Sequence, residues 1–309
     1  VSGCETEANP ELRERVRREC HGKLCVRRNG RLHKTRVFTV VPGFSPNHNL
    51  GVYNNSVNSV ERAFIERYFL CKVGPDFEPA LQSSDEAFRT KWLKQFRVRC
   101  LSNMPHLPRL TLTQAVSLFP AQKRKVYEKA LDTFASKGDV TEKDAQLSSF
   151  VKFEKQDVSK APRVINPRSP RYNLKLATYL KHFEHHMFKA INKTFGGRTK
   201  ATVIKGFDAD ESGEIFKDKW MQFSNPVAVG LDATKFDMHV SRFALRYEHS
   251  FYNGYCKDDV LRDMLRLQEV NKGVARADDG EVSFTMIGTR SSGDLNTSLG
   301  NCIIMCGLV

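Results

Sequence analysis

Residues 227–231, Val-Ala-Val-Gly-Leu, constrain this chain more than any other stretch, because a short apolar run must be sheltered in a sheet and this one ends directly in Asp232. Pro226 and polar residues flank the run, so Val227, Val229 and Leu231 read as one buried strand. A carboxylate where a strand leaves a sheet faces a cleft, a usual place for chemistry in layouts that mix helices and strands. There it can anchor a divalent cation of the kind that phosphoryl and nucleotidyl transfer employ. Asp237 follows five residues later. Taken in isolation, Asp232 is equally a helix N-cap and Asp237 a solvated acid.

A second stretch lies sixty residues on. Ser291, Ser292 and Gly293 form a turn, and the sequence from Asp294 onward predicts a helix in which Thr297 and Asn301, spaced i and i+4, share a face. Leu295, Leu299, Cys302 and Ile303 fall on its other faces. A small-residue turn feeding a helix with aligned hydroxyl and amide groups suits hydrogen bonding to a sugar hydroxyl. A plain loop followed by a core helix satisfies the same pattern.

Together the two stretches resemble motifs A and B of viral RNA-directed RNA polymerases. Asp232 and Asp237 match Asp-x4-Asp, and Ser292, Gly293, Thr297 and Asn301 match Ser-Gly-x3-Thr-x3-Asn. The wording is most similar to the positive-strand tombusvirus and carmovirus group. Gly51-Val52-Tyr53-Asn54-Asn55-Ser56 and Lys125-Val126-Tyr127-Glu128-Lys129-Ala130 extend the resemblance upstream, so that it covers about residue 37 to the end.

Charge points the same way without the motifs. The chain carries +14 at neutral pH, and residues 152–205 hold thirteen Lys or Arg against three acids, a net +10. Such concentration is the footprint of a surface that faces polyphosphate; an anionic membrane would also attract it, but no lipid signal accompanies it. Within this segment, 151–155 and 160–165 look like motif F of the same polymerases, which contacts the nucleotide triphosphate. The resemblance carries that role to Lys155, Lys160 and Arg163, with Lys152 and Arg168 as weaker companions. Arg163 suits bidentate phosphate binding, and lysines act as point charges.

Length and composition fit a large enzyme of about two domains. With 309 residues, 40% of them hydrophobic, a substantial core can form. No apolar stretch approaches the roughly 20 residues that span a bilayer, and the charged N-terminus is no secretory signal. The eight cysteines are scattered and read as reduced thiols. Cys4, Cys20, His21 and Cys25 match no common zinc spacing, and Cys302 and Cys306 read as core packing.

Periodicity predicts an α-helix followed by a basic arm over 5–36, a strand at 37–41 stopped by Pro42-Gly43, and a loop over 42–50. Helices are expected at 56–71, 84–97, 112–118, 120–136, 172–192, 211–223, 241–252 and 258–270, with a turn at Gly196-Gly197. Val274–Ala277 and Glu281–Ile287 flank Asp278-Asp279-Gly280, a hairpin signal. The fold class is therefore α+β. The resemblance implies a right-hand polymerase fold with fingers, a partial palm and no thumb. Its parts would be a basic N-terminal arm (1–36), fingers including motif F (37–205), palm with motif A (206–254), a fingers insertion (255–288) and palm with motif B (289–309).

The function so implied is template-directed RNA synthesis in viral genome replication, from nucleoside triphosphates, with Mg²⁺ or Mn²⁺. Asp232 would ligate metal, while Asp237, Ser292, Thr297 and Asn301 would recognise the ribose 2′-hydroxyl. Expected partners are RNA template and product, nucleoside triphosphates and a viral auxiliary replication protein. The expected location is the host cytoplasm, at membrane-associated replication complexes reached through segments outside this chain. The family's Gly-Asp-Asp motif C is absent: Asp278-Asp279-Gly280 reverses its order, and Asp258-Asp259 follows no apolar strand. The chain is thus expected to be a piece of a longer polymerase, inactive alone. Two rivals stand beside this reading, a non-catalytic RNA-binding module and a metal-dependent phosphodiesterase.

Overall fold

The hairpin announced by Asp278-Asp279-Gly280 is the centre of the fold. In the computed structural model, which describes residues 1–39, 49–196 and 201–309, Val270–Ala277 and Gly280–Ile287 pair antiparallel from Val270↔Ile287 to Ala277↔Gly280. Both turn carboxylates are used locally. Asp279 accepts from the Val57 amide at 3.0 Å, and Asp278 accepts from the Lys34 amide at 3.1 Å. The pair is a structural cap with no catalytic geometry.

Lys23–Arg28 adds antiparallel to the outer hairpin strand, Leu147–Val151 runs parallel to the inner one, and Val164–Ile165 closes the far edge. The Val57–Phe64 helix and its π-helical continuation Ile65–Phe69 lie on this sheet. They bury Val60, Phe64 and Ile65 against Val282, Phe284 and Met286. A second core surrounds the Pro170–Thr194 helix. Pro170 suits its first turn, and Ser169 caps it by accepting from the Tyr172 amide. Tyr172, Leu176, Phe183, Met187 and Ile191 form its buried stripe against Phe251, Tyr252, Leu265, Leu299 and Ile303. Each such side chain contributes about 1.5–3 kcal/mol on burial.

The two cores meet where the chain leaves the sheet. Backbone amides of Gly288, Thr289 and Arg290 donate in succession to the carbonyls of Glu269, Val240 and Asp237, at 2.9, 2.7 and 2.9 Å. This stitching delivers residues 291–296 to the site before the Thr297–Leu308 helix begins.

Several expectations are corrected. Residues 227–231 form no strand: Val227, Val229 and Leu231 are 80%, 79% and 72% exposed. A strand exists only with a ladder partner, and none of the described residues pairs with this run. Residues 23–28 are an edge strand of the sheet and not part of an arm, because alternate residues Leu24 and Val26 pack on the sheet's core. Val37 makes only an isolated bridge to Ser2; residues 40–48, and with them most of the expected 42–50 loop, lie outside the described residues, as does Gly197. The 84–97 helix is a 3₁₀ turn, Glu86–Phe88, followed by Lys91–Ser102, which restarts at the Thr90 cap. The helix from 258 ends at Arg266, since Val270 already belongs to the hairpin. The helix after the Ser-Ser-Gly turn starts at Thr297, because Asp294 is held in a buried ion pair.

All eight cysteines are free, and no helix among the described residues is long and apolar enough to cross a membrane.

Candidate active site

Asp237 lies on the short helix Phe236–His239 and is the point on which the site converges. Its Oδ1 accepts from Asn301 Nδ2 at 3.0 Å, and its Oδ2 accepts from Ser292 Oγ. These donors lie 64 and 55 residues further along the chain. Gly293 is required behind the turn: a Cβ there would stand 2.7 Å from the Asn166 carbonyl oxygen. Asn166 in turn donates to the Tyr68 hydroxyl at 2.8 Å, so the turn rests on a buried polar floor. Burial, and then the Asp237 charge, push the Tyr68 hydroxyl up to about 12, leaving it protonated.

A cleft of about 360 Å³ opens in front of Asp237 and Ser292. Its wall carries four cations, Arg67, Lys152, Arg163 and Lys235. The strand pairing explains two of them. Val151 pairs with Val164, and the Lys152 amide donates to the Arg163 carbonyl at 2.8 Å, which places both side chains at the same end of the ladder. Glu154 bridges them, with Lys152 Nζ at 2.5 Å and Arg163 Nη1 at 3.2 Å. Arg67 is anchored by the Ala161 carbonyl at 2.9 and 2.6 Å. Lys235, in left-handed backbone at φ 50°, donates to the Glu66 carbonyl at 2.7 Å. Burial lowers the pKa of both Arg67 and Lys235, so each cation gains from an incoming anion.

The other expected site residues fall elsewhere. Thr297 shares the Asn301 face of the helix, yet its Oγ1 donates to the Ser291 carbonyl at 3.0 Å; it braces the turn and does not reach Asp237. Lys155 and Lys160 are exposed on either side of the short strand Gln156–Asp157 and do not line the cleft. Arg168 is no phosphate contact: it is buried, paired with Asp294 at 2.5 Å and bonded to Asn271 and Ala145. Asp232 is exposed and outside the cleft lining, on the segment that lacks a strand partner. No group of three or more His, Cys, Asp or Glu side chains converges among the described residues, Cys4, Cys20, His21 and Cys25 included. A lone carboxylate supplies one ligand to an ion that needs about six oxygens, so the described residues do not make a metal site by themselves.

Sequence reading missed Arg67, Lys235, Tyr68 and Asn166. Lys235 had a signal, since it sits between the two aspartates of its motif. Arg67 had none; it interrupts an apolar helical pattern like any solvated residue.

Comparison with known proteins bears on this arrangement. The family described as viral RNA dependent RNA polymerase matches residues 24–309. The RNA-directed RNA polymerase of Tobacco necrosis virus (strain A) is 42% identical over 99% of this chain, and that of Oat chlorotic stunt virus 41% over 93%. That of Tomato bushy stunt virus (strain Cherry) is 39% identical over 89%. The chain spans 42%, 39% and 34% of the length of these three relatives.

Proposed function

The chain belongs to the viral RNA-dependent RNA polymerase family, and from that premise we propose that it contributes the nucleotide-selecting part of an enzyme that synthesises RNA on an RNA template. The observation that carries the proposal is the convergence of Ser292 and Asn301 on Asp237 at the wall of a cleft with four cations. A nucleoside triphosphate brings a polyanion and a ribose hydroxyl a few ångströms apart, and the cleft offers complements to both. Arg163 and Arg67 suit the phosphate oxygens through paired donors, and Lys152 and Lys235 add point charge. Each Asp237 oxygen retains acceptor capacity beyond its present bond, so a ribose 2′-hydroxyl can donate to it. A deoxyribose leaves that capacity unused in a partly dry site and binds less well for that reason.

Asp232 would serve as one ligand of a divalent cation, Mg²⁺ or Mn²⁺. Its other ligands, and the strand partner for 227–231 that would bring Asp232 to the cleft, would come from other parts of a longer protein. RNA template and product would lie along exposed basic residues of the 152–205 segment such as Lys155, Lys160, Lys189 and Lys193.

The test is nucleotide incorporation on an RNA template by the full-length protein. Wild type is expected to prefer ribonucleotides. Asp237→Ala should lower that preference roughly 10- to 150-fold, the equivalent of about 1.5–3 kcal/mol for one hydrogen bond to a charged group. An unchanged preference removes Asp237 from ribose recognition. Binding of RNA without incorporation by wild type would instead make the protein a binding module.

A further inference from the structure

Behind the ribose-facing groups lies an ion pair that the proposed reaction does not touch. Arg290 and Glu248 are both wholly buried, and Arg290 Nη2 bonds to Glu248 Oε2. Burying two charges costs more than an isolated pair returns, so such a pair calls for a further task or further bonds. Glu248 has bonds to spare: its Oε1 accepts from Tyr252 and from Asn296, each at 2.7 Å. Arg290 has the task. Its backbone amide donates to the Asp237 carbonyl, and its Nε donates to Asn301 Oδ1 at 3.0 Å.

That last bond decides which end of the Asn301 amide meets Asp237 at the wall of the cleft. A side-chain amide has an acceptor end and a donor end, and the two orientations fill the same volume. Held by Arg290 at its oxygen, Asn301 must aim Nδ2 at Asp237, where it donates at 3.0 Å. The reversed amide would set its oxygen against the Asp237 carboxylate and its NH₂ against the guanidinium, two repulsive contacts. We propose that Arg290, anchored by Glu248, is a positioning residue that fixes the orientation of the Asn301 amide and thereby the ribose selectivity of the site. The proposal rests on the polymerase reading above.

The packing is built around this pair. A Cβ on Gly300 would fall inside van der Waals contact of Glu248 Oε1 and Arg290 Nη2, so the helix that carries Asn301 approaches the pair more closely than any larger residue allows. Arg290 Nη1 finds no acceptor among the described residues. A group whose five donors are not all satisfied is held here by its remaining contacts, of which the Asn301 bond is the one that leads on to Asp237.

The experiment removes both charges together, so that neither is orphaned. In the full-length protein, Glu248→Gln with Arg290→Met keeps an acceptor for Tyr252 and Asn296 but leaves Asn301 Oδ1 without its donor. Ribonucleotide preference is expected to drop at least tenfold, through KM for ribonucleotides and with kcat largely kept. Adding Asn301→Ala should then cost no further selectivity. A folded double variant with wild-type selectivity overturns the proposal. Should that variant not fold, Arg290→Lys preserves the charge toward Glu248 while lacking the Nε donor, and the same loss is expected of it. If wild type incorporates no nucleotide at all, the polymerase reading fails and the orientation is tested separately. Asparagine-selective ¹⁵N spectra should then show the Asn301 amide protons exchanging slowly in wild type and fast in Arg290→Lys; equal exchange overturns the proposal.

Discussion

Arg168→Met should be among the most damaging single substitutions in this chain, although the residue touches nothing in the cleft. Arg168 is 1% exposed at its side chain and Asp294 3%. The guanidinium bonds Asp294 Oδ1 and Asn271 Oδ1 at 2.5 Å each and the Ala145 carbonyl at 2.6 Å. It thereby ties the hairpin, the turn before the Thr297–Leu308 helix and the start of the Pro170–Thr194 helix to one point. Methionine fills much of the space of the arginine stem but leaves the Asp294 carboxylate buried with no cation. Breaking a buried pair in this way costs about 3–5 kcal/mol, a large share of the 5–15 kcal/mol that holds a typical domain together. The assay is urea denaturation followed by circular dichroism, with the midpoint read at equal slope. Arg168→Met combined with Asp294→Leu removes both charges and should recover most of the loss, because apolar replacement of a whole pair is often neutral or better. A single variant that loses less than about 1 kcal/mol, or a double variant as weak as the single, would refute the reasoning.

Three further outcomes are expected. Arg163→Ala should raise KM for nucleotides roughly tenfold in the full-length protein, the equivalent of about 1.4 kcal/mol, while Lys155→Ala and Lys160→Ala change it far less; steady-state kinetics with equal effects for all three would contradict the cleft as described. Gly293→Ala should lower both thermal stability and ribonucleotide preference, since its Cβ meets the Asn166 carbonyl at 2.7 Å; a variant matching wild type in both would show that the turn relaxes freely. Stability should also fall in mild acid. Burial holds the His249 imidazole below its ordinary value, so as pH drops below about 6.5 the unfolded chain takes up a proton that the folded chain refuses. The folded state loses up to about 1.4 kcal/mol per pH unit until its own lower value is reached, and His249→Gln should flatten that part of the pH profile; an unaltered slope in the variant would count against the assignment.

Legibility in the sequence followed the range of the interaction. The Pro170–Thr194 and Ala121–Lys137 helices and the hairpin at Asp278-Asp279 could be read directly, because their periodicity, caps and turn residues all act within a few positions. The run at 227–231 has the same kind of local signal and still forms no strand. Its burial depends on a partner that the described residues do not provide, and no property of five residues reports whether one is at hand.

The same division runs through the site. Sequence by itself determined that Ser292 lies in a turn and Asn301 on a helix, that Asp237 is a second carboxylate five residues after Asp232, and that basic charge is concentrated near 152–205. The i, i+4 spacing rightly placed Thr297 and Asn301 on one helix face. Only the tertiary structure decided that Asn301 meets Asp237 while Thr297 turns back to the Ser291 carbonyl. It also decided that Arg163 faces the cleft whereas Arg168, five residues on, is buried against Asp294. The physical reason is that a hydrogen bond is settled by which donors and acceptors arrive within about 3 Å. For these pairs the partners lie 64 and 126 residues apart, a distance over which local pattern carries no information.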